Sequence, residues 1–402
     1  MKRKMIELYL RNKSFFMNFI DCTMFIISKV TPKRNVVIFE SHPDMTDNSL
    51  EMYKYMSKSG WLKEYQVIWA AEHPEKIKGL NIDNVDAVLL HPKSLLEKLK
   101  VRYLLAKASI IICSHRFIFP YIKAKNQLFL YLDHGSPLKD CKNIYENANT
   151  KNVIYITQSP FFKQSIKEQY GIDENHIIVT GLPRNDQLFR KYTSLKNIVD
   201  CSESYKKIIL WAPTFRYHES KTRIDSHSYM PLGIPVIYTE DDLLKLDKYL
   251  IDHQILLLLK PHPAQDMDLL CKLPCKNIRI LFSDDLSKYK IETNELLSQV
   301  DALITDYSSI YYDFLLLNRP VAITIDDFEQ YMNETGFVFD NPLDVLKGDY
   351  IRSIDGIYEF IQSVFEERDG MQSERREILN MIDRYQDGKS TERVFNYIIH
   401  SL

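Results

Sequence analysis

Short apolar runs rich in β-branched and aromatic residues recur along the first half of the chain. Helix-like segments such as NSLEMYKYMSKSG and KSLLEKLKVRYLLAKA lie between several of them. The runs are NVVIFES, YQVIWAAE, DAVLLH, ASIIICSH, QLFLYLDHG, VIYITQS and HIIVTG. Continuous apolar runs suit strands that are buried on both faces, so this alternation predicts βα units and a parallel sheet.

A second series of apolar runs begins after a polar stretch near residues 190 to 205: KKIILWAP, QILLLLKPHP, IRILFSD, DALITDYSS and RPVAITIDD. At 402 residues the chain is longer than one hydrophobic core usually supports. We therefore predict two α/β domains, residues 35–195 and residues 196–402. The C-terminal segments IDGIYEFIQSVFEER and STERVFNYIIHSL are predicted as helices of the second domain, and their return to the first domain stays open.

The segment 1–34 differs from both domains because it is basic at its start and apolar afterwards. Asn18 and Asp21 interrupt the apolar run, which argues against a membrane-spanning helix or a cleaved leader. A helix on a membrane surface and a helix that caps a domain remain alternatives. In the first case the anionic head groups would attract Lys2, Arg3, Lys4, Arg11 and Lys13.

Composition excludes several classes of protein. Hydrophobic residues make up 45% and charged residues 26% of the chain, which is typical of a soluble globular protein. A net charge of −2 gives no reason to expect a nucleic-acid partner. The six cysteines are scattered without the paired spacing of a zinc site, so we expect no metal site and a reducing environment.

Polar motifs follow the predicted strands at their carboxyl ends. In an open parallel sheet, ligands bind in the crevice beyond those ends. The motifs are DHGSPLK, GLPRND, APTFR, KPHP and TDYSS, and Asp313 lies shortly after the last of them. Their coincidence predicts a binding site at the strand ends, and each motif alone is a weaker signal.

The motif TDYSS predicts a phosphate site, because hydroxyl groups and unpaired N–H groups where a strand turns into a helix favour anions. Ser308 and Ser309 are the candidate ligands, and both are predicted to cap the helix that follows, a role that by itself needs no ligand. The carboxylate of Asp306 would repel a phosphate, so we assign it to orienting the loop. Asp313 is a candidate acceptor for the hydroxyl groups of a polyol.

Two histidines are candidate catalytic residues. His134 precedes Gly135 in a predicted turn, and an imidazole can take a proton from a hydroxyl group near neutral pH. The alternative is a histidine that only satisfies the turn. His262 lies between two prolines, where a rigid backbone would aim its imidazole at a phosphate oxygen. Lys139 and Lys260 would add positive charge, or would simply be solvated.

Three further residues complete the candidate substrate site. Arg216 has the planar fork that suits phosphate, and Thr214 can donate a hydrogen bond to the same group. A surface ion pair is the alternative for Arg216. Arg184, in the turn GLPRND, is a candidate binding residue with a capping or interdomain role as the stronger alternative.

These motifs carry a resemblance. HGSPLK, GLPRND, ILWAPTFR, LKPHP and ALITDYSSIYYDF, in this order, resemble the CDP-glycerol glycerophosphotransferases of teichoic acid and capsule synthesis. VIFESHPDMTDNS, DDFEQYMNETGFVFD and YQDGKSTERV are similar to further blocks of that family, so the resemblance covers about residues 35 to 397. The chain departs mildly at KPHP and HGSP, and DMTDNS matches more loosely.

The resemblance implies a GT-B-like fold of two Rossmann-like domains with parallel sheets facing across a cleft, and CDP-glycerol held mainly by the second domain. It implies His134 as the catalytic base and His262 at the diphosphate, without a cofactor or metal. It also implies a polyprenyl-diphosphate-linked acceptor and peripheral association with the cytoplasmic face of a bacterial membrane. Association of identical chains stays open.

Alternatives to this function remain at this point. A CDP-ribitol transferase would use the same phosphate contacts, and a nucleotide-sugar glycosyltransferase would share the fold. A binding protein with a degenerate site is disfavoured by the intact histidines and serines. The chain length favours a single-addition enzyme over a polymerase.

Overall fold

The computed structural model describes residues 19–20, 22–27, 35–120, 123, 126–145, 148–199, 205–216, 230–262 and 265–402. Within these residues the chain forms two parallel sheets and divides into two compact units. Unit 1 comprises Met1–His134, Lys142–Asp186 and Lys389–Leu402, and unit 2 comprises Gly135–Cys141 and Gln187–Gly388. The predicted α/β class with two parallel sheets is confirmed.

Unit 1 is built on a seven-stranded sheet with the order β3-β2-β1-β4-β5-β6-β7. The strands are β1 (Val36–Glu40), β2 (Gln66–Ala71), β3 (Val85–Leu89), β4 (Ile110–Cys113), β5 (Leu128–Tyr131), β6 (Ile154–Thr157) and β7 (Ile177–Val179). Its helices are α1 (Asp47–Lys58), α2 (Pro74–Lys78), α3 (Leu95–Lys107), α4 (Lys142–Tyr145) and α5 (Lys163–Tyr170). Every strand of unit 1 lies in an apolar run that predicted one.

The core of unit 1 explains why its strands read as continuous apolar runs. β1 and β4 are buried along their whole length because helices cover both faces of a parallel sheet. The pairing register sets Glu40 beside Cys113, and Cys113 beside Tyr131. The strand order reverses between β1 and β4, so the carboxyl ends of these central strands border a crevice of the kind that binds ligands.

Unit 2 is built on a six-stranded sheet with the order β10-β9-β8-β11-β12-β13. The strands are β8 (Lys207–Ala212), β9 (Ile255–Leu259), β10 (Ile278–Ile280), β11 (Ala302–Thr305), β12 (Val321–Thr324) and β13 (Asp349–Ile351). The helices are α6 (Leu195–Ile198), α7 (Glu240–His253), α8 (Ser283–Tyr289), α9 (Thr293–Ser298), α10 (Ile310–Leu315), α11 (Phe328–Glu334), α12 (Ile354–Phe365) and α13 (Gln372–Ile382). Here the order reverses between β8 and β11.

The last helix, α14 (Ser390–Ser401), belongs to unit 1. Val394, Phe395 and Ile398 are buried in the same hydrophobic cluster as the residues of β1 and β4. The sequence predicts residues 196–402 as the second domain, whereas the structure groups Lys389–Leu402 with unit 1. The short segment Gly135–Cys141 also differs, because it groups with unit 2.

The prediction of a surface or capping helix in segment 1–34 has a limited outcome. Most of that segment, with its basic residues, lies outside the described residues. Residues 19–20 and 22–27 are helical. None of the helices in the described part of the chain has the length and apolar character needed to cross a bilayer.

Candidate functional site

His134 lies just after β5, at the carboxyl end of the sheet of unit 1. Its side chain is 37% exposed, so a substrate can reach the imidazole. Nδ1 lies 3.3 Å from the carbonyl oxygen of Ser114 and 3.3 Å from Oδ1 of Asp133. Both neighbours are hydrogen-bond acceptors, so the proton of a neutral imidazole is favoured on Nδ1, which leaves Nε2 able to accept a proton.

Two side chains hold the backbone on either side of this imidazole. Nδ2 of Asn48 donates hydrogen bonds to the carbonyl oxygens of Asp133 (2.8 Å) and Leu132 (3.3 Å). Arg184 donates to the carbonyl oxygen of His134 (2.6 Å) and to the carboxylate of Asp47 (2.9 Å). Arg184 is 9% exposed and makes these contacts through Nη1, so it positions the backbone of His134, whereas the sequence predicted a contact to a ligand.

The loop that follows β4 forms the second wall around His134. The ring of His115 lies 4.6 Å from the ring of His134 and 5.0 Å from that of His42, measured between centroids. Burial, with smaller contributions from His134 and His42, lowers the pKa of His115 to about 3. His115 is therefore neutral at physiological pH and adds no positive charge to the strand ends.

Glu40 anchors this loop from beneath. Its Oε2 accepts hydrogen bonds from the backbone N–H groups of His115 (3.1 Å) and Arg116 (2.9 Å), and its side chain has no exposed surface. Burial raises the pKa of Glu40 to about 7, against the opposing effect of these hydrogen bonds and of the Arg116 charge. The loop that carries His115 is thus fixed by a carboxyl group that titrates near neutrality.

In unit 2, the strand ends beside the order reversal are joined by a buried ionic network. Asp306, after β11, accepts hydrogen bonds from the backbone N–H (3.0 Å) and the hydroxyl group (2.8 Å) of Thr214, after β8. Arg216 pairs with Asp306 (2.9 Å) and Asp327 (2.7 Å) and has no exposed surface. Asp306 therefore orients the two loops, as the sequence predicted.

This network corrects the prediction for Arg216 and Thr214. Both guanidinium edges of Arg216 are occupied by carboxylates, and the Thr214 hydroxyl is occupied by Asp306 and Arg216. Burial alone would lower the pKa of Arg216, but Asp306 and Asp327 together hold it above its ordinary value. The two residues brace the strand ends, and neither presents a donor to a phosphate. The structure thus shows ion pairs for Arg216, but they are buried and not at the surface as the alternative had it.

Four other candidate residues of unit 2 are partly exposed, so a bound ligand could contact them. Ser308 and Ser309 are partly exposed after β11, and Lys260 and His262 are partly exposed after β9. Ser309 is the N-cap residue of α10 without a side-chain capping bond, which leaves its hydroxyl group available and differs from the predicted capping. Burial lowers the pKa of Lys260, and its Nζ pairs with no other described residue.

The structure places the last two candidates elsewhere. Asp313 is 2% exposed inside α10, because the helix turns that side chain toward the interior of unit 2, so it cannot accept hydrogen bonds from a polyol at the surface. Lys139 forms an antiparallel bridge with Phe337, and its Nζ lies 5.3 Å from the ring centre of Tyr331. The cation–π contact anchors the Gly135–Cys141 segment to unit 2.

Comparison with known proteins decides the family. The sequence matches the family described as CDP-Glycerol:Poly(glycerophosphate) glycerophosphotransferase over residues 23–400. The chain belongs to this family. The family predicted from the motifs is therefore confirmed, and with it the class of enzyme: a glycerophosphotransferase.

Relatives within this glycerophosphotransferase family extend over most of the chain. The teichoic acid glycerol-phosphate primase of Bacillus subtilis (strain 168) is 26% identical, and the alignment covers 95% of this chain and 96% of that protein. The teichoic acid ribitol-phosphate polymerase TarL of Staphylococcus aureus (strain NCTC 8325 / PS 47) is 25% identical, with 100% and 69% covered. The solved wall teichoic acid polymerase TagF is 20% identical, with 99% of this chain and 97% of that chain aligned at a TM-score of 0.69, which confirms the GT-B-like fold.

Sequence reasoning missed four residues that surround the predicted base of this glycerophosphotransferase: Glu40, Asn48, His115 and Asp133. Glu40 ends β1, and His115 and Asp133 lie just beyond β4 and β5, whereas Asn48 lies in the first turn of α1. The signal that could have found Asp133 is its position directly before His134, and the signal for Glu40 is a lone acidic residue at the end of an apolar strand. Neither signal distinguishes a functional group from an ordinary turn residue.

Proposed function

We propose that this protein transfers glycerol phosphate from CDP-glycerol to a hydroxyl group of a polyprenyl-diphosphate-linked acceptor and releases CMP. The proposed role is in teichoic acid or capsule synthesis at the cytoplasmic face of the membrane. The observation that carries the proposal is a family match over residues 23–400 together with an exposed imidazole, His134, whose Nδ1 faces two acceptors.

The proposed chemistry assigns His134 the role of general base. Nε2 takes the proton of the acceptor hydroxyl group, whose oxygen attacks the β-phosphorus of CDP-glycerol. A new P–O bond forms, the bond between the β-phosphorus and the bridging oxygen breaks, and CMP leaves with that oxygen and its electron pair. The product is a phosphodiester that joins the acceptor to glycerol.

For the donor, we assign the diphosphate to residues of unit 2 that follow β9 and β11. The hydroxyl groups of Ser308 and Ser309, the ammonium group of Lys260 and the imidazole of His262 supply donors for phosphate oxygens and offset the charge that develops on CMP. The buried network of Arg216, Asp306 and Asp327 keeps these strand ends rigid. Membrane association rests on the basic sequence of segment 1–34.

The test of the base is the rate of CMP release from CDP-glycerol in the presence of a lipid-linked acceptor. We expect His134→Ala to lower this rate by about a hundredfold or more, as loss of a general base does. His91→Ala is the matched control, because His91 is an exposed histidine of unit 1 beyond β3. An unchanged rate in His134→Ala would remove His134 from the mechanism.

A donor panel tests the substrate. CDP-ribitol is a second candidate because a ribitol-phosphate polymerase is nearly as similar to this chain as the glycerol-phosphate primase. We expect CDP-glycerol to give the highest rate, CDP-ribitol a lower one and UDP-sugars none. A preference for CDP-ribitol would change the donor, and turnover of a UDP-sugar would overturn the proposed reaction.

A further inference from the structure

Asp133 is a buried carboxylate of unit 1 that takes no direct part in the proposed transfer. It is 2% exposed and lies between the end of β5 and His134. Its φ is +59°, a left-handed conformation that aspartate and asparagine adopt more readily than most residues. The backbone therefore turns sharply at Asp133, and its side chain points back toward the residue that follows.

Both oxygens of this carboxylate have defined partners in unit 1. Oδ1 accepts a hydrogen bond from the backbone N–H of His134 (2.7 Å) and lies 3.3 Å from Nδ1 of the same residue. Oδ2 accepts a hydrogen bond from the hydroxyl group of Tyr155 on β6. Tyr155 is itself buried, so the carboxylate is held from one side by a rigid strand and faces His134 on the other.

We propose that Asp133 is a positioning residue for His134, in which the carboxylate fixed by Tyr155 keeps the imidazole proton on Nδ1 and leaves Nε2 as the proton acceptor. The inference rests on the proposed role of His134 as the base. After Nε2 takes a proton, the adjacent carboxylate also stabilises the positive charge of the imidazolium. Ser114 assists through its carbonyl oxygen, which lies at the same distance from Nδ1.

The charged and titratable groups around Asp133 favour this arrangement. They are His134, Tyr131 on β5, Tyr155 on β6 and Arg184 beyond β7. Burial raises the pKa of Asp133, and His134, Tyr155 and Arg184 oppose that effect. Arg184 and Asn48 also hold the carbonyl groups of His134 and Asp133, so the backbone that carries the imidazole and the carboxylate is fixed.

The variant Asp133→Asn tests the inference with little change in shape. Asparagine tolerates the left-handed conformation and can keep an oxygen toward His134, but its neutral amide no longer supplies the negative charge that stabilises the imidazolium. We expect kcat for CMP release to fall by about a hundredfold or more, with KM for CDP-glycerol unchanged. The residual rate should increase with pH, because hydroxide then takes over from a weakened base. Wild-type kcat and pH profile in Asp133→Asn would overturn the inference.

Two further variants separate positioning from stability. Tyr155→Phe keeps the carboxylate but removes one hydrogen bond to it, and we expect a smaller loss of kcat than in Asp133→Asn. Asp186→Asn is the matched control, because Asp186 is another buried carboxylate of unit 1 that accepts backbone N–H groups, those of Ser390 (2.8 Å) and Thr391 (2.9 Å). It should lower the melting temperature and leave kcat and the pH profile unchanged. If Asp133→Asn behaved as Asp186→Asn does, Asp133 would be structural only.

The tautomer of His134 can also be observed directly in the wild-type protein. Two-bond ¹⁵N–¹H correlation spectra of protein labelled at histidine, assigned with His134→Ala, should place the proton on Nδ1. A proton on Nε2 would overturn the inference even if Asp133→Asn failed to fold. This measurement needs no substrate, so it still tests the tautomer on which the role of Asp133 rests if wild-type protein releases no CMP and the proposed function fails.

Discussion

The carboxyl group of Glu40 is fully buried, and only one of its two oxygens has a hydrogen-bond partner among the described residues. Protonation of the other oxygen would leave the two bonds to the loop after β4 intact. Burial opposes the ionised form, which is why the pKa of Glu40 is raised from 4.5 to about 7. Ionisation of Glu40 therefore lowers the free energy of unfolding, by an amount that depends on pH.

We predict that Glu40→Gln removes this cost. Between about pH 4.5 and about pH 7 the folded state binds the Glu40 proton more tightly than the unfolded state, so its contribution to stability falls as pH rises through that window. As pH rises from about 5 to about 8, the unfolding free energy of wild type should therefore fall by up to about 3 kcal/mol relative to that of Glu40→Gln. Urea denaturation at both pH values measures the difference.

Comparing Glu40→Gln with wild type separates the effect of the Glu40 titration on stability from that of His115. The lowered pKa of His115 makes stability rise with pH from about 3 to about 6.5, but this contribution is the same in both proteins and cancels. Glu64→Gln, at an exposed glutamate of unit 1, is the control and should show no such gain. A pH-independent difference between Glu40→Gln and wild type would mean that Glu40 is not protonated near neutrality.

Among single residues, sequence could predict where chemistry gathers but not which groups face a ligand. Arg216 and Ser309 both follow strands beside the order reversal of unit 2, yet Arg216 is enclosed by two carboxylates and the Ser309 hydroxyl has no capping bond. Asp327, which closes the ion pair, lies 111 residues further along the chain. Pairing over that distance depends on tertiary structure and leaves no local pattern.

Helix α14 shows the same limit for elements of secondary structure. Its sequence predicts an amphipathic helix, and the helix forms as predicted from Ser390 to Ser401. Which core it covers depends on Asp186, whose carboxylate accepts hydrogen bonds from the backbone N–H groups of Ser390 and Thr391 and so caps the helix from the 3₁₀ helix Pro183–Phe189. Strand β13, at the edge of its sheet, was missed because its three residues, DYI, show only one buried side chain.

We predict that Asp186→Ala weakens the attachment of α14. Two N–H groups of the first turn lose their acceptor, and loss of such a cap costs about 1 to 2 kcal/mol. Urea denaturation measures this cost, and amide exchange of residues 390–395 should accelerate. Glu392→Gln is the control, because Glu392 is an exposed acidic residue of the same turn and should change stability by less than about 0.5 kcal/mol. Equal effects of both variants would show that charge near the helix end matters more than the cap.

At the scale of the whole molecule, each unit has its own sheet and its own hydrophobic cluster. The two series of apolar runs predicted this division, because the pattern of such runs depends only on which residues are buried locally. The exchange of segments was not predictable in the same way. Residues 389–402 return to unit 1 through Val394 and Ile398, and Gly135–Cys141 joins unit 2 through Lys139 and Phe337.

The division into units makes a last prediction for the donor. If CDP-glycerol binds the residues that follow β9 and β11, its addition should slow amide exchange near Lys260, Ser308 and Ser309 in unit 2. At a hundredfold excess over Kd, binding contributes about 2.7 kcal/mol to the stability of whatever region it orders. Hydrogen-exchange mass spectrometry with and without CDP-glycerol measures this protection, with a UDP-sugar as the control ligand.

Two variants serve as controls. Asp133→Asn should show the same protection as wild type, because Asp133 acts on the base, whereas Ser309→Ala should show less. Protection confined to β1 and β4 of unit 1 would place the donor on the other sheet and exclude the serines as its ligands.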